Sequence, residues 1–418
     1  MPSSRLRRTL AVGLAAVAIP LGGALAVTTF SPTETVAVST PVTPGSTPAT
    51  TSPAPPTVSP RLGPAESVTS PPPKPSATPD NGIHVDCEKG DDGNKGTLAR
   101  PLRSIRAATS RALDPGAVIE LARGCTWQTT VQLRGDGTRD KPIRLTAYGA
   151  GAQPVVDGGS AGAESVVLLS GAYQIVENIR VTDAETNGVE IRGANSSVRS
   201  STVDHTGVGV LLKARGASAE RVTVRDLHMV RDTPGGDDDY GAIGFSVEAS
   251  DVEVSHSSCT NCRDTSHDYG YDGGFVEVWN YADNLDVHDN TGSNTQGILE
   301  IGGDRPDSSA RGIKLRDNTF RDTHGGLVLH TDGNFAIGSA RIAITGNTIT
   351  SAGAQDPPIL DGDLSNVTFE GNTVSTASFV SHSAPSRHRC NSITLRGDAE
   401  VGYQRDSTET LNGRATCS

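Results

Sequence analysis

The sequence predicts an all-β solenoid, a parallel β-helix of stacked short strands, and three observations carry that expectation. From Tyr173 onward one unit recurs: an alternating strand, an Asn-rich turn, a second short strand, a glycine and a third alternating strand. Apolar residues within each unit are spaced by two, the pleat of a strand, rather than by the three or four of a helix. Val, Ile, Thr, Gly and Asn abound where helical repeats would need Leu, Ala and Glu.

Residues 1–26 read as a signal peptide. Arg5, Arg7 and Arg8 make a basic start, Leu10 to Ala26 is apolar, and Ala24-Leu25-Ala26 is a small-residue cleavage pattern. Gly13, Pro20, Gly22 and Gly23 weaken that run as a membrane helix. No stable membrane association is therefore expected after removal of the signal, and the product should be secreted or held at the cell surface. Arg7-Arg8-Thr9-Leu10 resembles part of a twin-arginine export signal, which implies a bacterial source. Residues 27–80 are dominated by Pro, Ser and Thr, with few side chains able to seed a core, and read as a disordered linker. Residues 81–418 are expected to form one domain and a monomer, since elongated repeat folds outgrow ordinary domain lengths without splitting.

The repeat itself runs through Val287-His288-Asp289-Asn290-Thr291 to Gly297-Ile298-Leu299-Glu300-Ile301, then Leu315-Arg316-Asp317-Asn318-Thr319 to Gly325-Gly326-Leu327-Val328-Leu329. Ile344-Thr345-Gly346-Asn347-Thr348 and Phe369-Glu370-Gly371-Asn372-Thr373 continue it. Each Asn is expected to adopt the left-handed conformation at its turn and to bond the same Asn one coil away, a structural column. No coil buries its own apolar face, so stability comes from stacking and from capping both ends.

All six cysteines lie in the exported part, where disulfides are the default. The expected pairs are Cys87 with Cys125, Cys259 with Cys262, and Cys390 with Cys417, the first and last stapling the ends of the domain. Cys259-x-x-Cys262 also admits a redox or half-zinc reading, although no second such motif accompanies it. The formal net charge of -12 disfavours nucleic acid, because phosphate neutralisation needs clustered Lys and Arg. A polyanionic glycan would need a local basic pocket or a bridging cation.

The amino-terminal stretch narrows the fold. Val85-Asp86, Gly90-Asp91-Asp92-Gly93-Asn94-Lys95-Gly96-Thr97-Leu98, Pro101-Leu102, Ile105 and Ala107-Ala108, with Lys141-Pro142-Ile143, Tyr148 and Val155-Val156-Asp157-Gly158, resemble the opening of pectate-lyase-like β-helix proteins. The resemblance covers most of Ile83 to Gly158. It implies a single-stranded right-handed parallel β-helix, with a short N-terminal capping helix over Leu102 to Leu113. The fold hosts lyases, hydrolases, epimerases, esterases and adhesins, so function must be argued from the site.

Two connections, Arg231 to Tyr240 and Arg263 to Gly274, are longer than the rest and precede the third strand of neighbouring coils, so they should wall one groove. Alternation places Val276 and Val278 inside and Phe275, Glu277 and Trp279 outside; one coil later Leu299 and Ile301 face in while Ile298 and Glu300 face out. Glu277 and Glu300 then stack about 4.8 Å apart, too close for both to ionise cheaply, which suits an acid and a nucleophile or base in glycoside cleavage. A cation site and a solvated ladder are the competing readings. Trp279, Tyr240, Tyr269, Tyr271 and Tyr281 cluster here in a chain only 4% aromatic, as sugar-stacking platforms would. Asp237, Asp238, Asp239, Asp268, Asp272 and Asp304 crowd the same rim and suit Ca²⁺, with Asp272 also placed to join the catalytic acids.

Glu300-Ile301-Gly302-Gly303-Asp304-Arg305, followed by Asn318-Thr319-Phe320-Arg321 and Gly326-Leu327-Val328-Leu329-His330, resembles the active-site coils of the chondroitinase B and alginate lyase family. That resemblance implies Glu300 as a calcium ligand, Arg305 in place of the family's Lys base and His330 in place of its Arg acid. Arg305 departs from the pattern, because an arginine stays protonated and is a poor base. The family's second metal Glu falls on Ile298, and His330 could serve as base instead. Three classes follow: a glycoside hydrolase acting on an extracellular polysaccharide, a calcium-dependent polysaccharide lyase, and a non-catalytic glycan-binding or wall-adhesion protein.

Overall fold

The computed structural model describes residues 82–417, apart from 160, 161, 332–334, 336, 338, 339, 355 and 416. The predicted signal peptide and linker lie outside the described residues. The described chain is a parallel solenoid. Twelve strands, beginning with Ile83–Val85, Val118–Ala122 and Ile143–Tyr148 and ending with Val367–Glu370 and Arg387–Arg389, stack into one sheet. Two further parallel series complete each coil. One passes through Ser258–Cys262, Thr291–Thr295 and Thr319–Thr323. The other, which carries the groove, passes through Ile243–Val247, Gly274–Trp279, Leu299–Gly302 and Leu327–Leu329.

Alternation within these strands sends one row of Val, Ile and Leu inward from each side, and the rows merge into a single apolar core from Val85 to Val401. Phe245, Phe275 and Phe320 fill its widest part, with ring centroids 5.4 and 5.2 Å apart in succession. Gly292 makes room for them, since a Cβ there would lie 2.5 Å from the Phe320 ring.

Phe275 and Ile298 correct the expected alternation: both are buried, at 0% and 1% exposure. The chain is still turning a corner at these positions. The amides of Ile298 and Leu299 both donate to the Gly326 carbonyl, which an extended strand would not allow. Consecutive apolar residues at a corner can therefore both face inward.

The asparagine column forms, with one correction. Asn290 Nδ2 donates to Asn318 Oδ1 (3.0 Å), Asn318 to Asn347 (2.9 Å), Asn347 to Asn372 (3.0 Å), Asn372 to Asn391 (3.2 Å), and Asn391 to Glu409 Oε1 (2.6 Å). The left-handed residue at each turn is not the Asn but the one before it: Asp289, Asp317, Gly346, Gly371 and Cys390, with φ between 55° and 67°. Those positions carry the turn, which frees the Asn amide to point inward and pair.

The ends are closed as the sequence predicts, though the capping helix is shorter. It spans Ile105–Thr109, with Ser104 Oγ accepting from the Ala107 amide at its start and Ile105 and Ala108 buried beneath. By Leu113 the chain already bonds the Arg134 carbonyl of a coil edge, which ends the helix early. Cys87–Cys125 and Cys390–Cys417 pin the first and last coils, and Cys259–Cys262 closes within one strand. Cys259 and Cys262 are fully buried and bonded to each other, so neither presents a free thiol for a zinc site.

Candidate active site

Strand register decides which acids meet. Glu277 pairs directly with Glu300 across the Gly274–Trp279 and Leu299–Gly302 strands. Both project from the third sheet into a narrow recess also lined by Ile243, Asp272, Gly273, Gly274, Val276 and Gly297. Asp272 arrives from a different element, the end of an antiparallel ribbon in which Asp264–Ser266 pairs with Gly270–Asp272. Its Oδ1 accepts from the Gly273 amide at 2.7 Å, which fixes the carboxyl at the mouth of the recess.

Crowding three carboxyls against an apolar wall changes the acidity of Glu277 and Asp272. Burial, reinforced by the charges of Glu300, Asp272 and Glu248, drives Glu277 well above the ordinary carboxylate range. Burial also raises Asp272, with Glu300 adding to it and the Gly273 amide opposing, to about 7. Glu300 is oriented instead by His330, whose Nε2 lies 2.8 Å from Glu300 Oε1.

The aromatic floor is built around a glycine. Gly302 stands opposite Trp279 in the next coil. A Cβ at Gly302 would lie 2.8 Å from the Trp279 ring and 3.1 Å from His330 Cδ2, so only a bare backbone lets the indole lie over this rung. Trp279 then leans on Phe335 at 5.4 Å between ring centroids, and Phe335 meets His330 at 6.2 Å. Phe335 sits in a connection without periodic pattern, and the motif that contains Gly302 gives no sign of its steric role beneath Trp279.

The two long connections rise together as expected. Met229–Arg231 pairs with Tyr240–Gly241, forming a second ribbon beside the first. Asp239 ties them: its carboxylate accepts from the Thr233 amide (2.7 Å), Ser266 Oγ (2.8 Å) and the Asp268 amide (3.0 Å). Burial alone would raise its pKa, but these bonds and one from the His267 amide prevail and hold it down at about 2. Asp268 accepts from the Gly235 and Asp238 amides, and Asp238 pairs with Arg231.

Of the six aspartates expected to suit calcium, Asp238, Asp239 and Asp268 bring one oxygen each within 4.8 Å of one another, while Asp237, Asp272 and Asp304 lie outside that group. Most of the oxygens in the group already cross-link the loops. The oxygens of Asp239 and Asp268 already face amide and hydroxyl hydrogens and Asp238 Oδ2 faces the Arg231 guanidinium, while Asp238 Oδ1 is buried without a hydrogen-bond partner. Asp237 instead accepts from the Tyr269 hydroxyl at 2.9 Å. Nor do Asp272, Glu277 and Glu300 bring three oxygens within 4.8 Å of one another, the spacing one ion would need.

Tyr240, Tyr269 and Tyr271 stand exposed on the ribbons at 43%, 47% and 44%. One face of Tyr271 is taken by the Arg263 guanidinium, 3.4 Å from the ring centre. Tyr281 is drawn to Arg305, whose guanidinium carbon lies 6.0 Å from its ring centre. Arg305 thus serves the turn beyond the strand and does not line the recess.

A sequence model of the Pel9A-like, right-handed β-helix region matches residues 83–353. Pectate lyase Pel9A superposes at a TM-score of 0.50 with 15% identity, covering 81% of this chain and 82% of that one. The GH136 lacto-N-biosidase from Eubacterium ramulus gives 0.43 at 13% identity, covering 79% of this chain and 67% of its own length. An alginate lyase from Paenibacillus sp. str. FPU-7 gives 0.42 at 18%, covering 73% and 94%. At 15% identity the likeness to pectate lyase Pel9A speaks to fold alone. No curated protein matches the chain in sequence.

Proposed function

The chain belongs to the Pel9A-like right-handed β-helix family, and from that premise we propose that it is an exported enzyme hydrolysing glycosidic bonds of an extracellular polysaccharide. The observation that carries the reading is the in-register pair Glu277 and Glu300, with Asp272 closing the same recess. Glu277, whose pKa burial raises, is the general acid for the leaving glycosidic oxygen. Glu300, held by His330, faces the sugar as nucleophile or base. Neighbouring rungs about 4.8 Å apart suit the retaining geometry of roughly 5–5.5 Å better than the wider inverting one. Trp279 and the exposed tyrosines of the ribbons supply stacking surfaces for pyranose rings.

A calcium-dependent lyase is the alternative, favoured by the pectate lyase whose name the family carries. An elimination at a uronate must neutralise the substrate carboxylate, whereas the recess offers Asp272, Glu277 and Glu300. The decisive experiment incubates the chain with a panel of neutral and uronic-acid glycans, with and without EDTA. Hydrolysis predicts chelator-resistant release of reducing ends without new ultraviolet absorption; unsaturated, chelator-sensitive products would replace it with the lyase. Binding without turnover on every glycan would leave an adhesion module.

A further inference from the structure

On a face of the coil away from the groove, two imidazoles and two carboxylates converge across neighbouring rungs. The strand Glu253–Ser255 pairs with Asp286–His288, placing Ser255 opposite His288. His256 and Asp289 follow at the matching left-handed turn positions, with φ of 51° and 55°. Their side chains therefore leave the surface one above the other. One ligand atom each from His256, His288 and Asp289 lies within 4.8 Å of the others.

We propose that His256, His288 and Asp289 bind a transition-metal ion of the Zn²⁺ class and so cross-link two coils. The donor set is right for such an ion: two borderline imidazole nitrogens and one carboxylate oxygen, leaving a position for water. His288 is already oriented for the task. Its Nδ1 lies 2.8 Å from Asp289 Oδ2, so the edge it presents to the carboxylate is the one a metal would occupy. Its Nε2 lies 3.3 Å from Glu253 Oε1, and Ser255 Oγ steadies that carboxylate at 3.0 Å. A carboxylate behind a ligating histidine fixes the tautomer that leaves the other nitrogen free for metal. Zinc bonds of about 2.0–2.2 Å put ligand atoms roughly 3.3 Å apart, a closure of about 1 Å that an exposed side chain can make. His256 is exposed, and its ring stands 5.8 Å from that of His288 at 78°. The neighbouring cation, Arg316, is engaged by Asp286 at 3.0 Å.

The test titrates the chain, carrying no affinity tag, with Zn²⁺ by calorimetry and with Co²⁺ by visible absorption. One ion per chain is expected, with a nitrogen and oxygen ligand spectrum. His256→Ala and His288→Ala should each abolish it, and Glu253→Gln should weaken it by about tenfold. His267→Ala, in the separate group of Asp232, Asp239 and His267, should leave it unchanged. Zn²⁺ should raise the unfolding midpoint of the parent chain and not of His256→Ala. Absence of binding, survival of binding in both histidine variants, or its loss only in His267→Ala would each overturn the proposal.

Discussion

Along one edge of the solenoid Asn290, Asn318, Asn347, Asn372 and Asn391 stack; along another Glu277 stacks on Glu300. The rung spacing is the same, about 4.8 Å, and the outcome is opposite. An amide carries both donor and acceptor, so each Asn gives to the next and receives from the last. A carboxylate offers acceptors alone, so burying it and stacking it on another raises the pKa of Glu277. Repetition of a self-complementary group makes a stabilising column, while repetition of a self-repelling one makes a reactive pair. Glu409 shows that charge is not the obstacle. It ends the asparagine column, surrounded by donors from Asn391, His388, Tyr403 and the Asp406 amide.

The largest expected effect comes from relieving the repulsion. Glu277→Gln should lower kcat by about 10³-fold on the substrate the glycan panel identifies, the usual worth of a general acid. The same change should leave the midpoint of thermal unfolding at pH 8 unchanged or higher; a lower midpoint would show that the pair is a structural ladder. Next, Asn318→Asp imposes the groove's chemistry on the asparagine column. The substituted side chain can no longer donate to Val287 O and Asn347 Oδ1, now served at 2.9 Å each. A loss of about 3 kcal/mol is expected in urea unfolding at pH 8, with part regained at pH 4 where the acid reprotonates.

A smaller effect concerns pH alone. The folded pKa of Asp272, about 7, exceeds its ordinary 3.8, so between these values the native state binds more protons than the unfolded chain. Stability therefore falls as pH rises from about 4 to about 7 and levels above, by no more than about 1.4 kcal/mol for each pH unit crossed. Asp272→Asn should flatten that slope in urea titrations at pH 4.5 and 8, with Glu277 contributing the same sign. A parent chain whose stability rises across the window would contradict the half-buried placement of Asp272 beside Glu300. The smallest change is steric. Gly302→Ala sets a methyl 2.8 Å from the Trp279 ring, and should raise KM several-fold while leaving the pH profile of kcat in place.

How much of this is legible in the sequence follows from the range of the physics involved. Period-two alternation and in-register stacking are local, so the solenoid, the three disulfides and the meeting of Glu277 with Glu300 can be read from spacing. Corners are not periodic, and so alternation sets Phe275 and Ile298 outside when both are buried. The acid-rich rim is legible in composition alone: whether Asp239 and Asp268 take a cation or loop amides depends on the fold of two ribbons that no repeat dictates. Phe335 completes the aromatic wall from a connection with no pattern to read.

Glu409 also bears on how these molecules meet one another. A column of paired amides is a template, and an exposed last rung would recruit the first rung of a second molecule, the route by which open β-edges polymerise. Glu409 withholds the hydrogen such a newcomer would have to accept, and the Cys390–Cys417 link holds the closing segment over it. Cut before Thr408, the same solenoid would present the Asn391 amide without the carboxylate that now accepts from it.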